Sequence, residues 1–295
     1  MTNSGTCSNT HRGTGRRRVN RRSRRNTAIR LVALSFGAVV IVVFPLYLLV
    51  LTALKPTSEA HSVGMTLPTR IAFLDNLATV FSEGNTIRGL INSVLITIPS
   101  VTLLLFFGAM AAWVFARGRR HSVKAIYYIA ISGVMLPPTI VSTLRVLAFL
   151  HLDGSQVGLI LFYSGTQLSI AIFLMTGFVK GIPLEIEEAA RIDGAGTLRV
   201  FWSIIVPSLR PVLLTTGVIL TLFIWNDFLS PFFVLPNTDQ QTLPLGLYNF
   251  ASANTYDLNW NLIFTQVLLV SFPLFVLFIF AQRRIVGGLL GGAVK

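Results

Sequence analysis

The sequence predicts an all-α membrane protein of six transmembrane helices, with a polar helix-turn-helix in the connection between spans four and five. Three observations predict it. The 295 residues are 53% hydrophobic and 12% charged, with mean hydropathy +0.70, whereas a soluble domain carries about 25% charged residues. Six mostly apolar runs of roughly 20 residues recur along the chain, the length a helix needs to cross a bilayer. Lys and Arg are crowded into alternate connections, the asymmetry that sets membrane orientation.

The chain opens on a basic stretch. Nine of the 24 Lys and Arg residues fall within the first 30 positions. Residues 1–28 have few large apolar side chains and read as a disordered basic cytoplasmic tail, and residues 29–295 as the membrane domain. An Arg run beside a span marks the cytoplasmic side or contacts anionic lipid, so no nucleic-acid partner is expected. Ser23-Arg24-Arg25 is not an export signal, because the apolar run that follows is too long for a signal peptide. Cys7 is the sole cysteine, which excludes an intrachain disulfide. His11, His61, His121 and His151 have no metal-ligand spacing.

The apolar runs are Leu31 to Leu54, Leu90 to Ala116, Ala125 to Leu150, Val157 to Val179, Val212 to Leu235 and Leu262 to Ala281. The third contains Pro137, Pro138 and Arg145, and a break in its middle is expected. Between the first two, Lys55 to Gly89 is irregular around Pro56 and Pro68, with a short helix near Leu74 to Phe81. On the second run, Gly108, Ala112 and Ala116 form a small-xxx-small line that lets helices approach closely; internal packing and a partner subunit fit it equally well. The tail, residues 117–124, the 181–211 connection and the C-terminus are rich in Lys and Arg, while 151–156 and 236–261 have none. An even number of spans with both termini cytoplasmic satisfies every connection.

Residues 181–211 are the most organised polar stretch. Pro183 suits a first helical turn. Glu185, Glu187 and Glu188 complement the helix N-terminus, and Glu187 and Arg191 have favourable i,i+4 spacing. Gly194 and Gly196 end that helix. A second begins near Thr197, with Val200, Phe201, Ile204 and Ile205 on one face, and Pro207 and Pro211 turn the chain towards the next span. A loop lying on the membrane surface, or a cap on the protein itself, would share these features.

Glu188-Ala189-Ala190, Gly194 six residues after the glutamate, then Ile204 and Pro207, resemble the EAA loop of ATP-binding-cassette importer permeases. The form EEAARIDGAG is similar to the carbohydrate-uptake, maltose-type branch, with Val206 where that family often has Leu. Asn92-Ser93, WNDFLSP from Trp225, and the ending FAQRRIVGGLLGGAVK extend the resemblance to nearly everything after residue 30. The resemblance implies a permease subunit of a bacterial ATP-driven sugar importer in the cell membrane. Its partners would be a second homologous permease, a dimer of ATPases and an extracytoplasmic solute-binding protein. Glu188, Ala189, Ala190, Asp193, Gly194, Ile204 and Pro207 would then form the coupling loop that docks on the ATPase, with Glu188 anchoring it by charge.

Two ionisable residues lie inside the spans, Arg145 and Asp227, and such residues are candidates for function. They could pair or form an external gate; equally, each could reach the nearby interface. Trp225, Asn226 and Asp227 could contact a sugar, the Trp stacking on its face, or Trp225 could be an interfacial anchor. No nucleotide-binding G-x-x-x-x-G-K-[ST] loop is present, and no catalytic constellation is readable. The chain is therefore not expected to be an enzyme or to hold a cofactor, ATP and Mg being bound by the partner ATPase. The alternative is a self-sufficient ion-coupled transporter or channel, which the lack of coupling carboxylates deep in the spans opposes.

Overall fold

A computed structural model describes residues 21–61, 63–136, 139–253 and 259–293. The described residues are helical, with no strand among them. The chain divides into two units, residues 1–49 and 50–295. The first unit contributes most of α1 (Arg21–Ala53). This helix starts eight residues inside the stretch the sequence assigns to the disordered tail; residues 1–20 lie outside the described residues. Residues 21–36 contain neither Gly nor Pro, and Arg is a good helix former, so the apolar helix propagates back into the basic segment.

In the second unit, α2 (Phe73–Glu83) is the short helix expected in the 55–89 stretch. It is fixed by Asn76, whose buried amide donates to the carbonyls of Ala53 and Lys55 at 3.0 and 2.9 Å and accepts from Asn261 at 2.7 Å. Next come α3 (Thr86–Arg117), α4 (His121–Ser132), α5 (Ile140–Phe149), α6 (Gln156–Thr166) and α7 (Leu168–Lys180). The expected third span is divided into α4 and α5; Pro137 and Pro138 themselves lie outside the described residues. The fourth bends by 43° between α6 and α7.

The 181–211 stretch folds as α8 (Leu184–Ile192), α9 (Thr197–Val200), a π-helical turn (Phe201–Ile205) and α10 (Val206–Ser208). Then follow α11 (Arg210–Asn226), α12 (Leu229–Val234), α13 (Leu243–Ala253) and α14 (Trp260–Ala293). The helix α13 falls in a connection for which the sequence suggests no element. The expected fifth span is interrupted at Asp227, which separates α11 from α12.

Residues 30–53, α3 and Trp260–Gln282 are each long and apolar enough to cross a membrane. The bent pairs α6–α7 and α9 through α11 raise that number to as many as five by length and composition. Of the six expected spans, the third is split into α4 and α5, and the fifth is represented by α11 only as far as Asn226.

The core sits between α3, α6, α7 and the α9–α11 segment. Gly108 makes this possible. A Cβ there would lie 2.9 Å from the Cβ of Ala171, so the α3 backbone rests directly on the Ala171 methyl of α7. Between membrane helices, close contact of small residues replaces the hydrophobic drive available in water. The small-residue line at Gly108 and Ala112 is thus used within the chain. Five hydroxyls in the apolar helices are satisfied locally: Ser100, Thr102, Ser164, Thr215 and Thr221 each donate to the carbonyl four residues earlier, the cheapest partner for a polar group in hydrocarbon.

Candidate functional site

Two regions carry chemistry. The first is the α8–α10 segment. Its turn is a Schellman motif: the Ala195 N–H donates to the Ala190 carbonyl at 2.9 Å and Gly194 N–H to Arg191 at 3.1 Å. Gly194 occupies the left-handed region, φ +80°, which explains the glycine. Val200, Phe201, Ile205 and Leu209 are buried in the core, with Ile204 partly so. The π turn has a local cause. In an α-helix the Pro207 ring would collide with the carbonyl four residues back. Widening the turn, so that the Val206 N–H reaches Phe201, moves that carbonyl aside.

The polar side chains of α8 differ from expectation. Glu187 does not pair with Arg191. It turns inward, 1% exposed, and is held from α3: Arg117 Nε donates to Oε1 at 2.7 Å, and Trp113 Nε1 to Oε2 at 3.0 Å. Glu188, the expected anchor, is exposed and makes no hydrogen bond or ion pair among the described residues. Ala189, Asp193 and Gly194 are exposed beside it, while Ala190 packs against the core and Pro207 is half-buried. The rotation of α8 accounts for this. Ile186, Ala189 and Asp193 share a face spaced by three and four residues, and that face points outward. Around it, Ile192 is 86% and Leu198 72% exposed, so the outer surface of the loop combines small and apolar residues with the charges of Glu188 and Asp193.

The second region is a cavity of about 620 Å³ between α6, α11 and α12, closed on one side by Ile140 of α5. Its polar edge is Tyr163, Thr166, Gln167, Asn226, Asp227 and Ser230. Tyr163 donates its hydroxyl hydrogen to Asp227 Oδ2 at 3.0 Å. The other carboxylate oxygen accepts the backbone N–H of Leu229 and of Ser230 at 2.9 and 3.3 Å. Among the described residues, Gln167 Oε1 is buried without a partner.

Two of the sequence candidates are not here. Trp225 is buried away from the cavity and donates Nε1–H to the Val270 carbonyl of α14 at 3.1 Å. One residue of helix rotation separates it from Asn226, about 100°, and that is enough to turn it to the opposite neighbour. Arg145 is exposed on α5 and pairs with nothing among the described residues, so the pairing with Asp227 does not form. Asp227 has hydrogen-bond donors already.

Asn92 and Ser93 also acquire a role. Asn92 donates to the carbonyls of Asp239 and Gln241, both at 3.0 Å, and accepts from Gln156 at 2.9 Å. Ser93 accepts the N–H of Leu243, at the start of α13. Together they pin the 236–242 connection to α3. Sequence reasoning missed Trp113, Arg117, Tyr163 and Gln167. Trp113 and Arg117 do stand i,i+4 on one face of α3, but Arg117 opens a basic connection and reads there as a topology signal.

A family model described as binding-protein-dependent transport system inner membrane component matches residues 84–289. The chain belongs to this family. Two relatives agree. The probable starch degradation products transport system permease protein AmyC of Thermoanaerobacterium thermosulfurigenes is 32% identical over 252 residues, covering 85% of this chain and 91% of that protein. The melibiose/raffinose/stachyose import permease protein MelC of Bacillus subtilis (strain 168) is 32% identical over 278 residues, covering 93% and 99%. The fold is that of a chain in a bacterial ABC transporter involved in import of the acidic polysaccharide alginate. The TM-score is 0.76 at 18% identity, with 90% of this chain and 98% of that one covered. The chain is thus a transport-system membrane component, and both the α8–α10 segment and the cavity lie within the stretch the family model covers.

Proposed function

We propose that the chain is the transmembrane permease subunit of a bacterial ATP-driven carbohydrate importer. The family match over residues 84–289 carries the reading and favours it over a self-sufficient ion-coupled transporter. The sugars in the relatives' names supply the substrate class. In this reading the chain sits in the cell membrane with both termini cytoplasmic and forms the translocation path with a second, homologous permease. ATP and Mg are bound, and ATP hydrolysed, by a separate pair of ATPase subunits. An external solute-binding protein delivers the sugar.

The coupling surface is the outer face of α8 and its turn: Ile186, Glu188, Ala189, Ile192, Asp193 and Gly194, with Leu198 beyond. Small residues let a partner approach, and exposed Ile192 and Leu198 offer apolar contact to it. Ile204 and Pro207 act from behind, by shaping the second helix. Closure of the ATPases would move this segment as a rigid body and switch the spans between inward- and outward-open states. Sugar contact falls to the cavity, where Asn226, Asp227, Thr166 and Gln167 can exchange hydrogen bonds with hydroxyls beside the Phe162 and Phe223 rings.

The test is to tag the chain, solubilise native membranes gently and identify what accompanies it. An ATPase together with a second permease is the expected result. A lone chain active in liposomes without ATP would overturn the reading. Ala189→Trp then probes the surface: the chain should reach the membrane while ATPase recovery and uptake collapse. Ala190, packed against the core, is the poorer site for that substitution.

A further inference from the structure

We infer that Glu187, Arg117 and Trp113 are a yoke that delivers the movement of α8 directly to α3, making Glu187 and Arg117 positioning residues of transport. The inference rests on the permease reading above. Several routes lead from α8 into the helical core: residues 181–183 join it to α7, Ala190 packs on the core, and two more routes reach further. The forward covalent route passes through the Gly194–Gly196 turn, the π turn at Phe201–Ile205 and a 72° bend before α11. Each of these breaks the regular hydrogen-bond ladder, so this route yields under load. The other is short. Arg117, the last residue of α3, bonds Glu187 through Nε and Nη2 and also donates Nη2–H to the Ile182 carbonyl at 2.8 Å. One guanidinium thereby joins the end of α3, the α7–α8 connection and the first turn of α8. Trp113, one turn earlier on α3, takes the second carboxylate oxygen and packs against Phe201, ring centroids 5.6 Å apart.

Both oxygens of Glu187 are engaged and the residue is 1% exposed. A charge pair shielded from water is strong and directional, and the planar guanidinium fixes its orientation. Along its length, α3 packs against α6, α7, α11 and α13. Movement entering at Arg117 therefore reaches every wall of the core at once.

The test uses the complete importer, purified with its ATPases, reconstituted in liposomes and supplied with sugar-loaded binding protein. The readout is ATP hydrolysed per sugar transported, which is independent of how much complex assembles. Glu187→Gln keeps the shape of the side chain and removes its charge; Trp113→Phe keeps the ring against Phe201 and removes the N–H. Each should raise the ratio at least tenfold, with hydrolysis persisting while uptake falls. If Glu187→Gln does not accumulate, Trp113→Phe carries the test. A ratio within twofold of the parent in an intact complex overturns the yoke alone. A parent chain that recovers no ATPase overturns the permease reading and the yoke with it.

Discussion

Tyr163 and Asp227 stand 64 residues apart in sequence and 3.0 Å apart in space, the phenol of α6 donating to the carboxylate that ends α11. The contact does two things. It satisfies a carboxylate on the polar edge of the cavity, and it ties α6 to the break between α11 and α12.

Tyr163→Phe removes this donor and leaves Asp227 to the backbone N–H groups of Leu229 and Ser230. A hydrogen bond to a charged group contributes about 1.5–3 kcal/mol, and a loss of that size is expected in thermal unfolding of the detergent-solubilised protein. Asp227→Ala should cost more, because the start of α12 loses its acceptor too. Equal losses would show that the Tyr163 bond, not the helix start, is the whole contribution.

Gly108 and Ala171 provide a paired test. Gly108→Ala brings two methyl groups to 2.9 Å and should destabilise by about 1–3 kcal/mol, the usual cost of overpacking. Adding Ala171→Gly removes the opposing methyl and should return most of that loss. A double mutant no more stable than Gly108→Ala would contradict the close contact of Gly108 with the Ala171 methyl. The coupling term of the cycle isolates the interaction.

Asn92→Leu is isosteric in outline and strips both tethers from the 236–242 connection. Hydrogen exchange at 237–243 should rise sharply while α3 itself stays protected. Unchanged exchange there would mean that the exposed Arg88–Asp239 ion pair and the Ser93–Leu243 bond hold the connection without Asn92.

Trp225 and Asn226 should separate cleanly. Trp225→Phe loses the bond to Val270, about 1 kcal/mol of stability, with the apparent KM for sugar unchanged. Asn226→Ala should leave stability within about 0.5 kcal/mol and raise the KM. The reverse pattern would restore Trp225 to the sugar path.

The backbone of the 181–211 segment was legible. Gly194 ends the first helix, Pro183 begins it, and Val200, Phe201 and Ile205 face the core, all of which local spacing dictates. The charge partner of Glu187 was not legible. Arg191 lies four residues away and Arg117 seventy, and no periodicity within α8 distinguishes them. The cavity was half legible: Asn226 and Asp227 stand out in an apolar run, but Tyr163 and Gln167 look like ordinary members of another.

By itself, the sequence determined what depends on neighbours along the chain: the apolar runs, their caps, the breaks at proline and glycine, and the family. The tertiary structure alone decided which way each polar side chain turns. Trp225 faces α14 and Asn226 the cavity; Glu187 faces α3 and Glu188 the exterior. Adjacent residues on a helix diverge by about 100°, so the rotation of a helix, fixed by its neighbours in space, chooses between a buried bond and an open surface.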